Sequence, residues 1–267
     1  PDLIFPDKKR RIEGHCTDVV TNLAVEWLNQ KRTEEKPFLL MVQHKAPHRS
    51  WMPALRHLPL YDDIEIPEPP TLFDKWTDNA PGARQQELEI DRHMDLNYDL
   101  FVDLTPGFHQ ERSQKAQDRS AWRNMKRMTP NQINTWRSHY KPKDAAFKKG
   151  KLSGKDLVRW KFQRYAKNYL RCVKGVDESL HTLQEELRKL GLDKNTIVIY
   201  SSDQGFYIGD HGWYDKRWMY EESLKMPLIV KWPGTIKAGS KQEEMVQNLD
   251  YAQTFLDLAG APQPKDM

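Results

Sequence analysis

Cysteine is scarce in this sequence, with only Cys16 and Cys172 among 267 residues. Two are too few for a disulfide framework, and neither has a second cysteine at metal-site spacing, so a stapled module and a thiolate zinc site are both excluded. Cys172 falls on the apolar side of a predicted helix and is assigned to the core, while Cys16 precedes a predicted helix start and is given no role. No apolar run approaches the length of a membrane-spanning helix, and no membrane partner is expected. A signal-peptide pattern is lacking too, and the chain opens Pro1-Asp2-Leu3 without an initiator methionine. The sequence is therefore expected to be a piece of a longer protein, and the missing leader says nothing about compartment. A strong charge imbalance is also absent. The formal charge is +4, and KPKDAAFKKGK (141–151) and KKRR (8–11) carry no repeating aromatic interleaving, so no nucleic-acid partner is expected.

Aromatics are plentiful: nine Trp and ten Tyr speak for a folded chain, since disordered ones are poor in them. Thr17 and Asp18 form an N-cap region, and Val19-Val20, Leu23-Ala24 and Trp27-Leu28 follow at helical spacing. PFLLMVQ (37–43) reads as a short buried strand that delivers the loop HKAPHRSW (44–51). Prolines at 53, 59, 67, 69 and 70 then make the chain extended and irregular. From about 84 to 155 the sequence is polar and weakly periodic, and helices and long loops on the surface are expected there. From Asp156 the pattern sharpens. Tyr169, Val173, Val176, Leu180, Leu183, Leu187 and Leu190 alternate steps of four and three, as in a long amphipathic helix. A coiled coil fits the same spacing, but GLDKNT and a buried strand follow at once, which favours a helix on a sheet. That strand is TIVIYSS (196–202), PLIVKWP (227–233) is a second, and VQNLDYAQTFLDLAG (246–260) leads into a helix. This order points to an α/β sandwich with helices on a mainly parallel sheet. Ligands gather beyond the carboxyl ends of such strands, where both polar loops, 44–51 and 203–217, lie.

Asp203 and Gln204 offer a carboxylate and an amide oxygen side by side, a donor type that suits hard cations such as Ca²⁺ and Mg²⁺. An isolated Asp-Gln pair is more often a turn cap beside a solvated amide; its place at a strand end, with His211 and Lys216 close behind, turns the balance toward a site. Lys216 can supply fixed positive charge to an anionic ester, although a lone lysine is usually surface. His48 can give a proton to a leaving oxygen because imidazole titrates near neutral pH, although loop histidines such as His44, His48 and His211 more often have no such role. The residues alone support an anion-handling, metal-dependent site built from two strand-end loops.

The run DQGFYIGDHGWYDKRWMYEESLKMPLIVKWPG (203–234) resembles a segment of the sulfatase family, within the alkaline-phosphatase-like superfamily. The shared pattern is Asp-Gln, then Gly-Asp-His-Gly, a Lys, and Tyr-Glu before an apolar strand ending Trp-Pro-Gly. PFLLMVQHKAPHRSW similarly resembles the family's strand and Pro-His loop, GHCTDVVTNLAVEWL and NYLRCVKGVDESLHTLQEELRKLGL its flanking helices, and VQNLDYAQTFLDLAG its late strand and helix. The likeness is nearest to N-acetylglucosamine-6-sulfatases and other glycan sulfatases, and weakest over 84–155. It implies an alkaline-phosphatase-like sandwich, incomplete here, with residues 1–267 as the C-terminal portion of a catalytic domain. It further implies that Asp203 and Gln204 hold one Ca²⁺ ion, that Lys216 contacts the sulfate, and that His48 binds it and protonates the leaving sugar oxygen. His211, Asp215, Arg217 and Lys45 would face a sulfated carbohydrate substrate, and a periplasmic, secreted or lysosomal location is implied.

The family's nucleophile is a formylglycine made from Cys or Ser in Cys/Ser-x-Pro/Ala-x-Arg, and no such motif occurs in this sequence. The family's paired N-terminal Asp and its Gly-Lys motif are absent as well. Ca²⁺ takes roughly six to eight oxygens, more than Asp203 and Gln204 provide. These parts are expected upstream, and the chain alone is expected to be inactive. Two alternatives remain open at this point: a phosphoesterase of the same superfamily, and a non-catalytic or degenerate glycan binder using 141–151 with Trp213, Tyr214 and Trp218.

Overall fold

A computed structural model of the protein describes residues 2–4, 9–31, 36–75, 81–103, 125 and 127–265. Two short strands, β1 (Asp2–Ile4) and β2 (Lys9–Arg11), form an antiparallel ribbon, followed by α1 (Cys16–Glu26). Residues Trp27–Lys31 extend α1 as a wider π turn. After a long stretch of turns come the short α2 (Pro81–Gln85) and the helices α3 (Pro130–Gly150) and α4 (Gly154–Lys189). The rest comprises β3 (Val198–Ser201), β4 (Tyr207–Ile208), β5 (Tyr214–Asp215), α5 (Glu221–Leu224), β6 (Leu228–Lys231) and α6 (Asn248–Leu258). No helix among the described residues is long and apolar enough to cross a membrane.

α3 starts where its sequence says it should. Thr129 and Gln132 form a reciprocal capping box, with Pro130 at the first helical position, where a missing N–H costs nothing. Three residues later the chain reverses into α4, and the two helices form an antiparallel hairpin. Phe147 stacks on Trp160, the buried Asp144 pairs with Arg164, and Tyr140 donates to Asn168 at 2.7 Å, each contact one turn deeper than the last. The apolar stripe read from Tyr169 onward does face inward, with Val176 and Leu187 buried.

α4 also buries a stripe that hydrophobic periodicity does not reveal: Lys161, Arg164, Asn168 and Arg171. These side chains serve main-chain carbonyls of the irregular region. Lys161 Nζ donates to Ile90, Asp91 and Met94 oxygens at 3.1, 2.7 and 3.1 Å. Arg164 donates to Leu100 O and Arg171 to Leu60 O. Gln163 takes Ile66 N–H at 3.0 Å and returns its own amide to Ile66 O at 2.7 Å, mimicking a strand neighbour. Coil segments that lack a ladder thus still satisfy their backbone groups. Trp51, Ile90, Met94, Phe162, Tyr165 and Tyr214 close over this scaffold as the main core.

Two expectations need correction. Residues 84–155 are not simply surface, because Leu88, Ile90, Met94, Leu100, Trp136, Tyr140 and Phe147 are buried. The buried positions from 88 to 100 are placed by turns and show no period, whereas Trp136, Tyr140 and Phe147 lie on one face of the otherwise polar α3; residues 104–124 and 126 lie outside the described residues. PFLLMVQ forms no ladder either, and Leu39 and Met41 are 66% and 64% exposed. A lone segment gains no ladder hydrogen bonds, and among the described residues it pairs with no strand. The strand pairings among the described residues are all antiparallel two-stranded ones: β1 with β2, β3 with β6 from Val198↔Lys231 to Ser201↔Leu228, and β4 with β5. The mainly parallel sheet is not found among the described residues. β6 carries Ile229 at 62% exposure and α6 buries no residue, so this part of the fold is open on one side.

The carbonyl-gathering lysine gives a direct test of the scaffold. Lys161→Met should lower the unfolding free energy by about 1–3 kcal/mol, the cost of leaving buried acceptors unpaired. Urea unfolding measures it, and an unchanged midpoint would contradict the assigned role.

Candidate functional site

At the end of β3 the chain turns sharply. Ser202 Oγ accepts from Gln204 N at 3.3 Å and donates to Gln204 O at 2.9 Å, and Gly205 N donates to Ser223 O at 2.9 Å. Gly205 is required by contact: a Cβ there would lie 2.2 Å from Glu222 O. The Gln204 amide is oriented by the same neighbour, since its Nε2 donates to Ser223 O and Oγ at 3.1 Å each. A carbonyl oxygen can only accept, so the –NH₂ end must face Ser223. The Oε1 end is left with no partner among the described residues. Asp203 is exposed, and its carboxylate makes no hydrogen bond or ion pair among the described residues; only its carbonyl is held, by Asn248 at 3.4 Å. Two adjacent oxygens therefore stand free at a strand end.

The following loop is stitched to residues 88–93. Tyr214 N donates to Leu88 O, Ile90 N to Gly212 O, and Tyr214 Oη to His93 O. Gly209 has φ +93°, and a Cβ there would sit 2.7 Å from Phe162. Trp213 and Tyr214 are buried as anchors, so the expectation that they touch a glycan is corrected; Trp218 is 42% exposed. His211 takes its N–H to Thr71 Oγ1, and its ring lies between Asp74 at 3.2 Å and Glu222 at 3.5 Å. His211 (φ +58°) and Asp215 (φ +69°) both adopt left-handed backbone, a strain that concentrates at functional sites.

Asp215 is a buried carboxylate whose Oδ1 has no hydrogen-bond partner among the described residues. Its charge is met at longer range by Lys216 Nζ at 3.7 Å and by Arg217 at 3.6 Å. Lys216 is mostly shielded and lies 5.9 Å above the Phe206 ring, whereas the Arg217 side chain is 68% exposed. The three consecutive residues form one mixed-charge cluster able to face a polar, anionic ligand.

The second loop reaches the same place through aromatic packing. Trp51, fully buried, meets Tyr165, Phe206 and Tyr214 edge-on at 4.5, 6.2 and 6.3 Å. Arg49 forms a bidentate pair with the buried Asp99 at 2.5 and 2.8 Å, and its guanidinium lies over Tyr98 and Tyr214. Burial pushes the Asp99 carboxyl up to about 6 against the pull of Arg49 and the Asp95 amide, while the acid and the aromatic hydroxyls outweigh burial and hold Arg49 more firmly charged. Between these anchors His48 is exposed. Its Nδ1 donates to Arg49 O at 2.7 Å, leaving Nε2 outward, and its N–H closes a turn on Lys45 O. Lys45 is exposed on that turn.

The aromatic cluster thus brings the loop of Lys45 and His48 beside the loop of Asp203, Gln204, His211, Asp215, Lys216 and Arg217. Arg49 and Asp99 were missed from sequence; the signal was an Arg between a candidate His and a Trp, but its partner lies in a stretch without periodicity. No group of three or more His, Cys, Asp or Glu able to hold a metal occurs among the described residues. Asp203 and Gln204 fit a Ca²⁺ ion as a partial ligand set: oxygen donors, adjacent and unspent, two of the six to eight it takes.

Comparison with known proteins gives this architecture a relationship. A solved protein bound to its substrate, D-glucosamine-2-N,6-O-disulfate, superposes with a TM-score of 0.91 at 41% identity, over 100% of this chain and 53% of that one. The fold is that of the alkaline-phosphatase-like α/β class. Along its whole length the chain is similar to sulfatases. Residues 209–267 match the family described as N-sulphoglucosamine sulphohydrolase, C-terminal. An N-acetylglucosamine-6-O-sulfatase of Bacteroides thetaiotaomicron is 42% identical across the whole chain, and the human N-acetylglucosamine-6-sulfatase is 26% identical over 92% of it. The chain spans 47% and 33% of the lengths of these two relatives.

The contact at Gly205 can be tested alone. Gly205→Ala should destabilise the fold by about 1–3 kcal/mol through overpacking against the Glu222–Ser223 backbone. Denaturant unfolding reads this, and a neutral result would mean that the two segments are not in contact.

Proposed function

We propose that residues 1–267 are the C-terminal portion of a sulfatase catalytic domain that removes sulfate from a sulfated glycan. The observation carrying this is the chain-long likeness to a protein solved with a 6-O-sulfated glucosamine as its substrate. The sugar class follows from it: a 6-sulfated N-acetylglucosamine type, with exported relatives suggesting a periplasmic, secreted or lysosomal location. Asp203 and Gln204 would hold one Ca²⁺ ion, which when bound supplies positive charge to the sulfate oxygens. The nucleophile, a formylglycine in this family, is not encoded in these residues.

The roles of the remaining side chains follow from chemistry. Lys216, largely shielded and already beside one carboxylate, offers its ammonium to the negative charge of the ester, where low local dielectric strengthens the attraction. His48 has its Nδ1 proton committed to Arg49 O, so Nε2 is the atom that carries a proton to the sugar oxygen as the S–O bond breaks. Asp215, with an unspent Oδ1, accepts from a sugar hydroxyl, and Arg217, Lys45 and His211 lie on the same two loops.

In the full-length enzyme, Asp203→Ala and Lys216→Ala should each lower kcat/KM for a 6-sulfated glucosamine by about 10²-fold or more. The 267-residue chain alone should hydrolyse no sugar or aryl sulfate. Turnover that survives both substitutions would overturn the assignment.

A further inference from the structure

The loop carrying His48 begins at His44, whose ring is wired into the seam between α1 and α4. Its Nε2 lies 2.8 Å from Ser179 Oγ, and Ser179 Oγ lies 2.6 Å from Thr21 Oγ1. Thr21 Oγ1 in turn lies 2.8 Å from Thr17 O. Thr21 Oγ1 donates to Ser179 Oγ, whose second lone pair can take the His44 Nε2 proton. The other end of the ring selects the tautomer. Nδ1 is buried with no partner among the described residues; as a bare lone pair it is tolerated, whereas the opposite tautomer would bury an orphan N–H there.

The surrounding charges favour the neutral ring. Burial, then His15 at the head of α1, lowers the His44 pKa. On the α4 side Glu178 is engaged by His57 and Arg56, and Arg56 also by Asp18, so these two carboxylates are already paired. The far end of the same loop is held by Arg49 on Asp99 and by His15 donating to Met52 O at 3.0 Å. His48 and Lys45 thus lie on a short turn clamped at both ends.

We infer that Ser179 and Thr21 are positioning residues for the His48 loop, acting through His44; this rests on the sulfatase reading above. The relay hands a helix–helix contact to the turn that presents the proton donor, so its loss loosens the geometry without touching substrate.

The test uses the full-length enzyme with ¹⁵N-labelled histidine. Ser179→Ala and Thr21→Val remove one hydroxyl each, and Thr21→Ser keeps it as the control. Long-range ¹H–¹⁵N spectra should show His44 as the Nε2–H tautomer in the native enzyme and the control, and as a tautomer mixture in the other two. Both of those variants should lose about tenfold in kcat with little change in KM, as expected when a reacting group is misplaced. A His44 tautomer unchanged in both variants overturns the inference, as does an altered tautomer with native kcat or a loss of thermal stability alone. If Ser179→Ala fails to fold, Thr21→Val decides by the same readouts. Turnover surviving Lys216→Ala would instead sink the sulfatase reading, and the tautomer spectra do not depend on turnover.

Discussion

Everything in this structure leans on the polar stripe of α4. A helix that buries Lys161, Arg164 and Arg171 would ordinarily be destabilised, because each cation leaves water. Here each is compensated by carbonyl oxygens of chain that has no other means of satisfying them. The proline-rich and weakly periodic segments from 51 to 102 cannot form ladders, so their backbone acceptors need donors from elsewhere. The two requirements are met by the same contacts. Burial pulls the Lys161 pKa down, opposed by Asp91, Asp95 and Asp99, and the three short hydrogen bonds keep the ammonium donor in place. The same helix grips the far side through Tyr165, whose hydroxyl donates to Tyr207 O at 2.7 Å.

That grip is what brings two distant loops together. Tyr165 packs on Trp51 from the first loop and on Tyr214 from the second, so one helix position registers both. The candidate residues do not pack there themselves; they are the polar neighbours of residues that do. His48 precedes Arg49, Asp203 and Gln204 precede Phe206, and Lys216 follows Tyr214 and Asp215. Rigid aromatic anchors with few rotatable bonds hold the exposed His48 and Asp203 as well as the shielded Lys216 and Asp215. The left-handed backbone of His211 and Asp215 is tolerated because Trp213 and Tyr214 between them are fixed on both sides.

Open apolar surface marks the other half of the molecule. PFLLMVQ, β6 and α6 carry the composition of buried elements yet are largely exposed. The packed part is the α3–α4 hairpin with its coil, where the contacts close on themselves. The relatives are about twice as long or more, and the sheet is where a longer chain would find its place.

Motif-bearing residues were legible because their chemistry is local. Asp203-Gln204 at the end of an apolar run, Gly205 in the turn and Lys216 behind them are set by residue type and near neighbours, Gln204 and Gly205 by Ser223. The long helix was legible too, since its apolar period survives over many turns. Arg49–Asp99, the α4 cations and the core role of 84–103 were not, because each joins segments 50 to 111 positions apart and pairs a charge with a carbonyl or carboxylate that has no pattern of its own. Sequence by itself determined which groups this protein offers, since residue type and short-range turns set donors, acceptors and charge. Only the tertiary structure decided where they meet, because the contacts that bring the His48 loop against the Lys216 loop run through aromatic rings and buried cations whose partners are chosen by packing, not by spacing.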